Sequence, residues 1–305
     1  MKRIIRLVLV LILGGIAINA KAEDMENKGK RVIVICAHPD DAELTSGGTC
    51  ILLSRMGYKI KYVSFTNGNK GHYEGTKNEI AIRRYNEVQE VKRRMNCEYE
   101  ILNNEDGELE PTVRNRMEVI RLIREWKADI VITHPPYDYH PDHRHTSLLV
   151  QDAAFLVNVP KILPEIPALG QSPLFLYTRG RYVNPQKPQP DIVVDITPVI
   201  REKAYVIDAH ASQIYEWLPW INRNNNIIPE TQEGKIEYIL REYVLKRGEI
   251  KEKDKPVVKK WYGNNVEKVK TIEAFEICEF GRTVDDQDIR ELFPIFYKYS
   301  ESRTQ

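Results

Sequence analysis

The stretch Val32-Ile33-Val34-Ile35-Cys36-Ala37, running directly into His38-Pro39-Asp40-Asp41, decides how the rest of the chain is read. Its apolar run is rich in β-branched side chains, too short for a typical helix and without a polar face, the pattern of a strand covered on both sides. Such a strand belongs in a parallel sheet, and the sequence beyond it continues in the same sense. Thr45 to Gly57 puts Leu52, Leu53 and Met56 at helical spacing and stops at a glycine suited to a C-terminal cap. Ile60 to Phe65 reads as a second strand, closed by Thr66-Asn67-Gly68. Asn78 to Met95 reads as a helix whose expected buried stripe is Ile82, Tyr85, Val88 and Met95. A weaker strand at Tyr99 to Leu102, a helix through Val113, Met117, Ile120, Ile123 and Trp126, and a fourth strand at Ile130 to Ile132 follow. The alternation predicts an α/β fold, a Rossmann-like doubly wound, mostly parallel sheet with helices on both faces. In the common strand order 3-2-1-4, strands one and four meet where the winding reverses, and ligands bind beyond their carboxyl ends. No G-x-G-x-x-G follows strand one, which argues against a dinucleotide cofactor.

Composition narrows the function classes. Lys and Arg number 45 against 44 Asp and Glu, a formal net charge of +1, so no global field draws the chain to nucleic acid or an anionic membrane. Neither Gly nor Pro is enriched in the 305 residues, and the charged and apolar fractions are those of a globular protein. Residues 1–22 join a basic start (Lys2, Arg3, Arg6) to an apolar stretch, Leu7 to Ile18, and the small-x-small Ala20-Lys21-Ala22, the pattern of a secretory signal. Export to the periplasm or beyond the cell is the expectation, with no membrane span left after cleavage and a polar lead-in over 23–30. Cys36, Cys50, Cys97 and Cys278 form no C-x-x-C pair and read as buried thiols.

Past Pro160 the pattern weakens. Leu174 to Tyr177 and Ile192 to Ile196 read as strands, Val199 to Tyr215 and Lys235 to Lys246 as helices, and Asn184 to Pro190 as a Pro-rich loop. Lys246 to Lys270 is basic and reads as a solvated face. The expected organisation is a core over 31–215 and a less regular C-terminal extension over 216–305 packed on the same domain.

The chemistry gathers at the ends of strands one and four. His38, Asp40, Asp41 and Glu43 follow the first; Thr133-His134-Pro135-Pro136-Tyr137-Asp138-Tyr139-His140-Pro141-Asp142-His143-Arg144-His145 follows the fourth. Four of the seven histidines fall in this second segment, read as one loop. Desolvating so many polar groups is costly unless a cation or a hydrogen-bond network receives them. The reading from the residues is a divalent metal held by two imidazoles and one carboxylate, with the other of Asp40 and Asp41 free as a general base for water. A salt-bridged turn with a capping His-Pro loop is the plainer alternative.

These residues also carry a family resemblance. His38-Pro39-Asp40-Asp41, Gly47-Gly48-Thr49, Asp106-Gly107-x-Leu109 and the Thr133 to Arg144 segment resemble the PIG-L/LmbE-like N-acetylglucosaminyl deacetylases, over Arg31 to Gln213 and again at Ala274-Phe275-Glu276 and Phe280-Gly281-Arg282, with Trp217 to Lys270 unmatched. The resemblance implies Zn2+, or another divalent transition metal, on His38, Asp41 and His143. It implies Asp40 as general base, His140 as stabiliser of the tetrahedral intermediate, and Asp142 orienting His140 and His143. It implies Arg84 and Asp106 as contacts to substrate, and hydrolysis of an N-acetyl group on a sugar or glycoconjugate. An amidase acting on another amide and a non-catalytic metal- or carbohydrate-binding module are the rival classes. His210-Ala211-Ser212-Gln213 reads either as a site element or as a hydrogen-bonded buried histidine. Trp217 and Trp220 are expected in the core, with a sugar-binding wall as the alternative; His72 is expected at the surface, and His134 and His145 as supports beside the loop.

Overall fold

The computed structural model describes residues 29–180, 182, 189–224 and 227–299. The expected signal peptide, nearly all of the lead-in and most of the Pro-rich loop lie outside the described residues. The alternation of strands and helices is as expected: β1 (Arg31–Cys36), α1 (Asp41–Arg55), β2 (Lys59–Thr66), α2 (Lys77–Met95), β3 (Glu98–Asn104), α3 (Val113–Trp126), β4 (Ile130–Thr133) and α4 (Pro141–Leu156). Then come β5 (Leu174–Thr178), β6 (Ile192–Asp195), α5 (Ile200–Ile207) and, after shorter helical pieces, β7 (Ile272–Ile277). The sheet order is β3-β2-β1-β4-β5-β7-β6, parallel through β5, with β7 antiparallel to both its neighbours. Period-two alternation splits β1 between two cores: Val32, Val34 and Cys36 pack with Cys50 and Leu53 of α1, while Ile33 and Ile35 pack with Ile120 and Ile123 of α3 and Leu149 of α4. All four cysteines are buried and unpaired. Among the described residues no helix is long and apolar enough to cross a membrane.

Several elements differ from the sequence reading. Helix α1 begins at Asp41, ahead of Thr45, so the aspartate pair sits at a helix start. On α2, Ile82 and Tyr85 are exposed, and Ile80, Arg84, Glu87, Val88, Val91 and Met95 face inward. Two charged residues occupy that inner face because its end borders the polar site, which an apolar count cannot register. The expected helix over Val199 to Tyr215 breaks after Ile207 and resumes as a π-helical turn at Ser212–Trp217. Asp208 at the break accepts from Arg94 (2.8 Å), Gln232 (3.1 Å) and Tyr215. The stretch Lys235 to Lys246 likewise turns π-helical at Leu240–Leu245.

Strand β7 was not read as a strand, and it inserts between β5 and β6. Its Glu273 reaches across to α1, accepting the N–H groups of Gly48 (2.8 Å) and Thr49 (2.7 Å) and pairing with Lys203 (2.7 Å), which also donates to the Leu44 carbonyl (3.0 Å). Both charged side chains are almost fully buried, so this ion pair is scarcely screened. Gly48 admits the approach: a Cβ there would lie 2.7 Å from Ile196 Cγ2. On the opposite face, the buried Arg124 donates to six carbonyls, those of Leu156, Val157, Val159, Ile162, Leu163 and Ile166, and so closes the C-terminal end of α4 and the turns after it.

Candidate metal centre

β1 and β4 are neighbours in the sheet, with Ile35 opposite Thr133, and their carboxyl ends release the two polar segments side by side. His38 Nδ1, His143 Nε2 and Asp41 Oδ2 form a triangle with edges of 3.2, 3.4 and 3.4 Å. A tetrahedral zinc ion with bonds of about 2.0–2.1 Å separates its ligand atoms by ~3.3 Å, so the three donors fit such an ion. His143 stands on α4, not in a loop: Pro141 opens that helix and His140 is its N-cap, so the histidine-rich segment is half loop and half first turn.

Partners on the far side of each ring set the donor atoms. His143 Nδ1 donates its N–H to Asp138 Oδ1 at 3.0 Å, which leaves Nε2 as the ligand atom. His38 Nε2 faces Asp106 Oδ1 and Asp142 Oδ2, each at 3.2 Å, which leaves Nδ1 toward the triangle. Burial opposes a proton on His38, but hydrogen bonds to Asp106, Asp142 and Asp41 outweigh it and hold its pKa well above the usual histidine range. Burial also opposes charge on Asp41, and the His143 and His134 rings reverse that, holding it well below the usual carboxylate range. Other groupings of donors are present, including Asp41 with His134 and His143. His134 is a poor ligand because its Nε2 accepts the Ala37 N–H at 3.0 Å. His145 bonds the Leu109 carbonyl and, like His134, supports the segment from beside it.

Asp40 precedes α1 with φ of 117°, a strained conformation for any residue but glycine. Its Oδ2 lies 3.3 Å from Arg84 Nη2, and its other oxygen has no hydrogen-bond partner among the described residues. Burial pushes its pKa up to about 6 against the pull of the Arg84 guanidinium, with the Asp41 charge adding to the rise. Arg84 is 2% exposed, donates to the Pro39 carbonyl, and fits only because Gly68 and Gly71 lie against it. It therefore braces Asp40, and it also lines the cavity in which the expected contact to substrate would be made. Asp106 is similarly engaged with His38.

His140 Nδ1 accepts the Asp142 N–H at 3.2 Å, so the neutral ring carries its proton on Nε2. Burial and the charge of His38 lower its pKa. The Asp142 carboxylate does not join His140 to His143. It binds His38 and the N–H groups of Gly107 (2.6 Å) and Leu109 (3.2 Å), tying the turn after β3 to the site. Asp138 was the residue the sequence reading passed over; an acid five residues before His143 on the same segment was the available signal. His210 is fully buried and bonds Glu43 at 3.1 Å, the plainer of its two readings. His72 is not a free surface histidine, since Nε2 meets Glu216 at 3.0 Å. Trp220 is 53% exposed rather than in the core. A cavity of about 670 Å3 opens over the triangle, with Trp217, Leu218 and Ile221 on one side and Lys246, Arg247 and Lys251 on another, so part of the basic stretch is cavity wall.

Comparison with known proteins identifies the family of the chain. Residues 33–154 match the family model described as GlcNAc-PI de-N-acetylase, PIG-L. Diacetylchitobiose deacetylase of Thermococcus kodakarensis is 30% identical over 208 residues, covering 66% of this chain and 77% of the relative. The chain belongs to the PIG-L/LmbE-like deacetylase family. As a member it is a hydrolase of the deacetylase class. The structure of N,N'-diacetylchitobiose deacetylase from Pyrococcus horikoshii superposes with a TM-score of 0.62 at 25% identity, covering 82% of this chain and 84% of that one. GalB of Pseudomonas putida, a 4-carboxy-2-hydroxymuconate hydratase, has a TM-score of 0.63 at 20% identity, over 84% of this chain and 99% of that one, and shares the fold.

Proposed function

We propose that this chain is an exported, zinc-dependent deacetylase that hydrolyses the N-acetyl group of an N-acetylglucosamine-type sugar or glycoconjugate. The observation that carries the reading is the triangle of His38, Asp41 and His143 beside the half-free carboxylate of Asp40, all lining one cavity. A zinc ion held by those three residues would supply a Lewis acid for the acetamide carbonyl and bring the pKa of a water down to about 7. Asp40 is the general base. Arg84 holds one oxygen, leaving the other for the water proton, and a pKa of about 6 suits proton uptake near neutral pH. His140, with its proton on Nε2, is the donor toward the oxyanion that forms when water adds to the carbonyl carbon. The C–N bond then breaks, Asp40 returns its proton to the nitrogen, and acetate and a free amine leave. Similarity to a diacetylchitobiose deacetylase supports an acetamido sugar as substrate. Export rests on the pattern in residues 1–22.

The test is acetate release from N-acetylated sugars by protein of measured metal content. Asp40→Asn is expected to bind zinc normally and to lose about 100-fold or more in turnover, while His143→Ala loses metal as well. Full acetate release by Asp40→Asn, or none from any N-acetyl sugar by the zinc-loaded protein, would end the reading.

A further inference from the structure

The loop Gly68 to Tyr73, between β2 and α2, lies directly on two residues of the site. A Cβ at Gly68 or at Gly71 would come within 2.8 Å of Arg84 Nη1, so the loop backbone packs against the guanidinium that holds Asp40. Beside it, Asn69 Oδ1 accepts the Asp106 N–H at 3.2 Å, at the residue whose carboxylate faces His38. Neither glycine has a side chain to anchor the loop, so its seat on Arg84 depends on what closes over its outer side. That cover comes from far downstream, from the π-helical turn Ser212–Trp217. Single π-helical turns are uncommon and recur at functional sites. Gln213 Nε2 donates to the Gly71 carbonyl at 2.9 Å, and Glu216 Oε2 meets His72 Nε2 at 3.0 Å. A carboxylate only accepts, so the His72 proton sits on Nε2 and a neutral ring makes the bond, while Nδ1 accepts the Glu74 N–H at 3.0 Å. Helix α2 fixes the turn in its own place: Glu216 takes both terminal nitrogens of Arg83 at 2.7 and 2.5 Å, and Ser212 gives its N–H and hydroxyl to Glu87 at 2.7 and 2.8 Å. The Arg83 and Glu216 side chains are 39% and 36% exposed, so their ion pair adds little by itself. The His72 side chain is 3% exposed, so water competes poorly for its bond to Glu216.

We infer that Glu216, through His72, is a positioning residue for the reaction: it holds the Gly68 to Tyr73 loop down on Arg84 and so fixes the carboxylate of Asp40. Among the described residues that line the cavity are Gly71 and Arg84 but not Glu216, so Glu216 reaches the reacting atoms only by way of the loop. The inference rests on the deacetylase reading for the role of Asp40, and adds a residue outside the family-matched 33–154.

The experiment measures kcat and KM separately for acetate release from N-acetylglucosamine and diacetylchitobiose, with amide hydrogen exchange on the same zinc-loaded proteins. Glu216→Ala is expected to lower kcat about 10-fold and to leave KM within about twofold, since a misplaced base slows the chemical step without loosening the sugar. Glu216→Gln keeps an acceptor for His72 and should recover most of the loss. In an Arg84→Lys background the further effect of Glu216→Ala should shrink to within about twofold, because the route through the guanidinium is already broken. Amides over 67–74 and over 38–44 should exchange about 10-fold faster in Glu216→Ala. Unchanged kcat in a natively folded Glu216→Ala protein, a loss carried by KM alone, or full additivity with Arg84→Lys overturns the inference and leaves the deacetylase reading intact. Where Arg84→Lys does not fold, the split between kcat and KM decides. If no acetate appears from any N-acetyl sugar, that reading fails and exchange decides the bracing alone: faster exchange in both segments sustains it, and unchanged exchange over 38–44 overturns it.

Discussion

Replacing Asp138 tests the metal centre without touching a proposed ligand. Its carboxylate accepts from His143 Nδ1 at 3.0 Å and from the His140 N–H at 3.2 Å, and the His143 and Asp138 side chains are 7% and 8% exposed, so solvent screens the contact little. A hydrogen bond with a charged partner contributes ~1.5–3 kcal/mol. Loss of a carboxylate behind a metal-bound histidine typically weakens metal binding about 10- to 100-fold, or ~1.4–2.8 kcal/mol, so the two estimates agree. Asp138→Asn keeps an oxygen to accept from Nδ1 and removes only the charge; about a 10-fold weaker zinc Kd is expected. Asp138→Ala removes the acceptor for both His143 and the His140 N–H, and about 100-fold is expected. The assay is competition for zinc against a chromophoric chelator at fixed pH, with circular dichroism to show that the fold survives. A natively folded Asp138→Ala protein holding zinc within about twofold of the unmutated chain would refute the argument that this carboxylate orients the ligand ring.

Three further outcomes follow from packing and linkage. Arg124→Met strands six carbonyls, several of which water can reach, and is expected to cost ~2–4 kcal/mol in urea unfolding; a loss below ~1 kcal/mol would show that water replaces the guanidinium fully. The neighbouring glycines of α1 should respond with opposite signs: Gly48→Ala meets Ile196 and should cost ~1–3 kcal/mol, whereas a Cβ at Gly47 makes ordinary contact with Lys203 and should stabilise by ~0.5–1 kcal/mol, so equal effects would contradict the close approach. Burial works against charge on Asp208, but bonds from Tyr215, Arg94 and Gln232 outweigh it and lower its pKa, so its folded value lies below its unfolded value of ~3.9. Its contribution is complete above that value and fades as pH falls through the folded pKa. The stability gap between the unmutated chain and Asp208→Asn should therefore be constant from about pH 7 to 5 and shrink below about pH 4; a gap that persists unchanged into stronger acid would refute the linkage.

The parallel half of the sheet was legible because β1 and β4 are short β-branched runs buried on both faces, β2 is a largely apolar run closed by a turn signal, and the intervening helices carry apolar residues at helical spacing. β7 was not, because Glu273 interrupts the apolar run and only its bonds to Gly48, Thr49 and Lys203 explain a carboxylate there. Residue type and position at strand ends pointed to a cation site of two imidazoles and a carboxylate, and the set His38, Asp41 and His143 was what the family resemblance implied. Arg84 and Asp106 were picked out as contacts to substrate, and both line the cavity, but their bonds to Pro39, Asp40 and His38 were not foreseen, because linear spacing does not show which residues meet across the fold. The breaks in the later helices depend on Asp208 and His210 finding partners more than a hundred residues away in sequence, Arg94 and Glu43.

Residues 33–154 contain every candidate ligand, yet they are not a portable module. The clamp of Lys203 and Glu273 on α1, whose first residue is Asp41, is supplied by segments far downstream, and so are the aromatic and basic flanks of the cavity. Grafting a different tail onto this core would exchange the recognition surface and disturb the footing of the aspartate pair in one stroke. In this chain the footing of the aspartate pair and the flanks of the cavity are therefore mechanically coupled, and a tail swap meant to change one must carry the downstream clamp along.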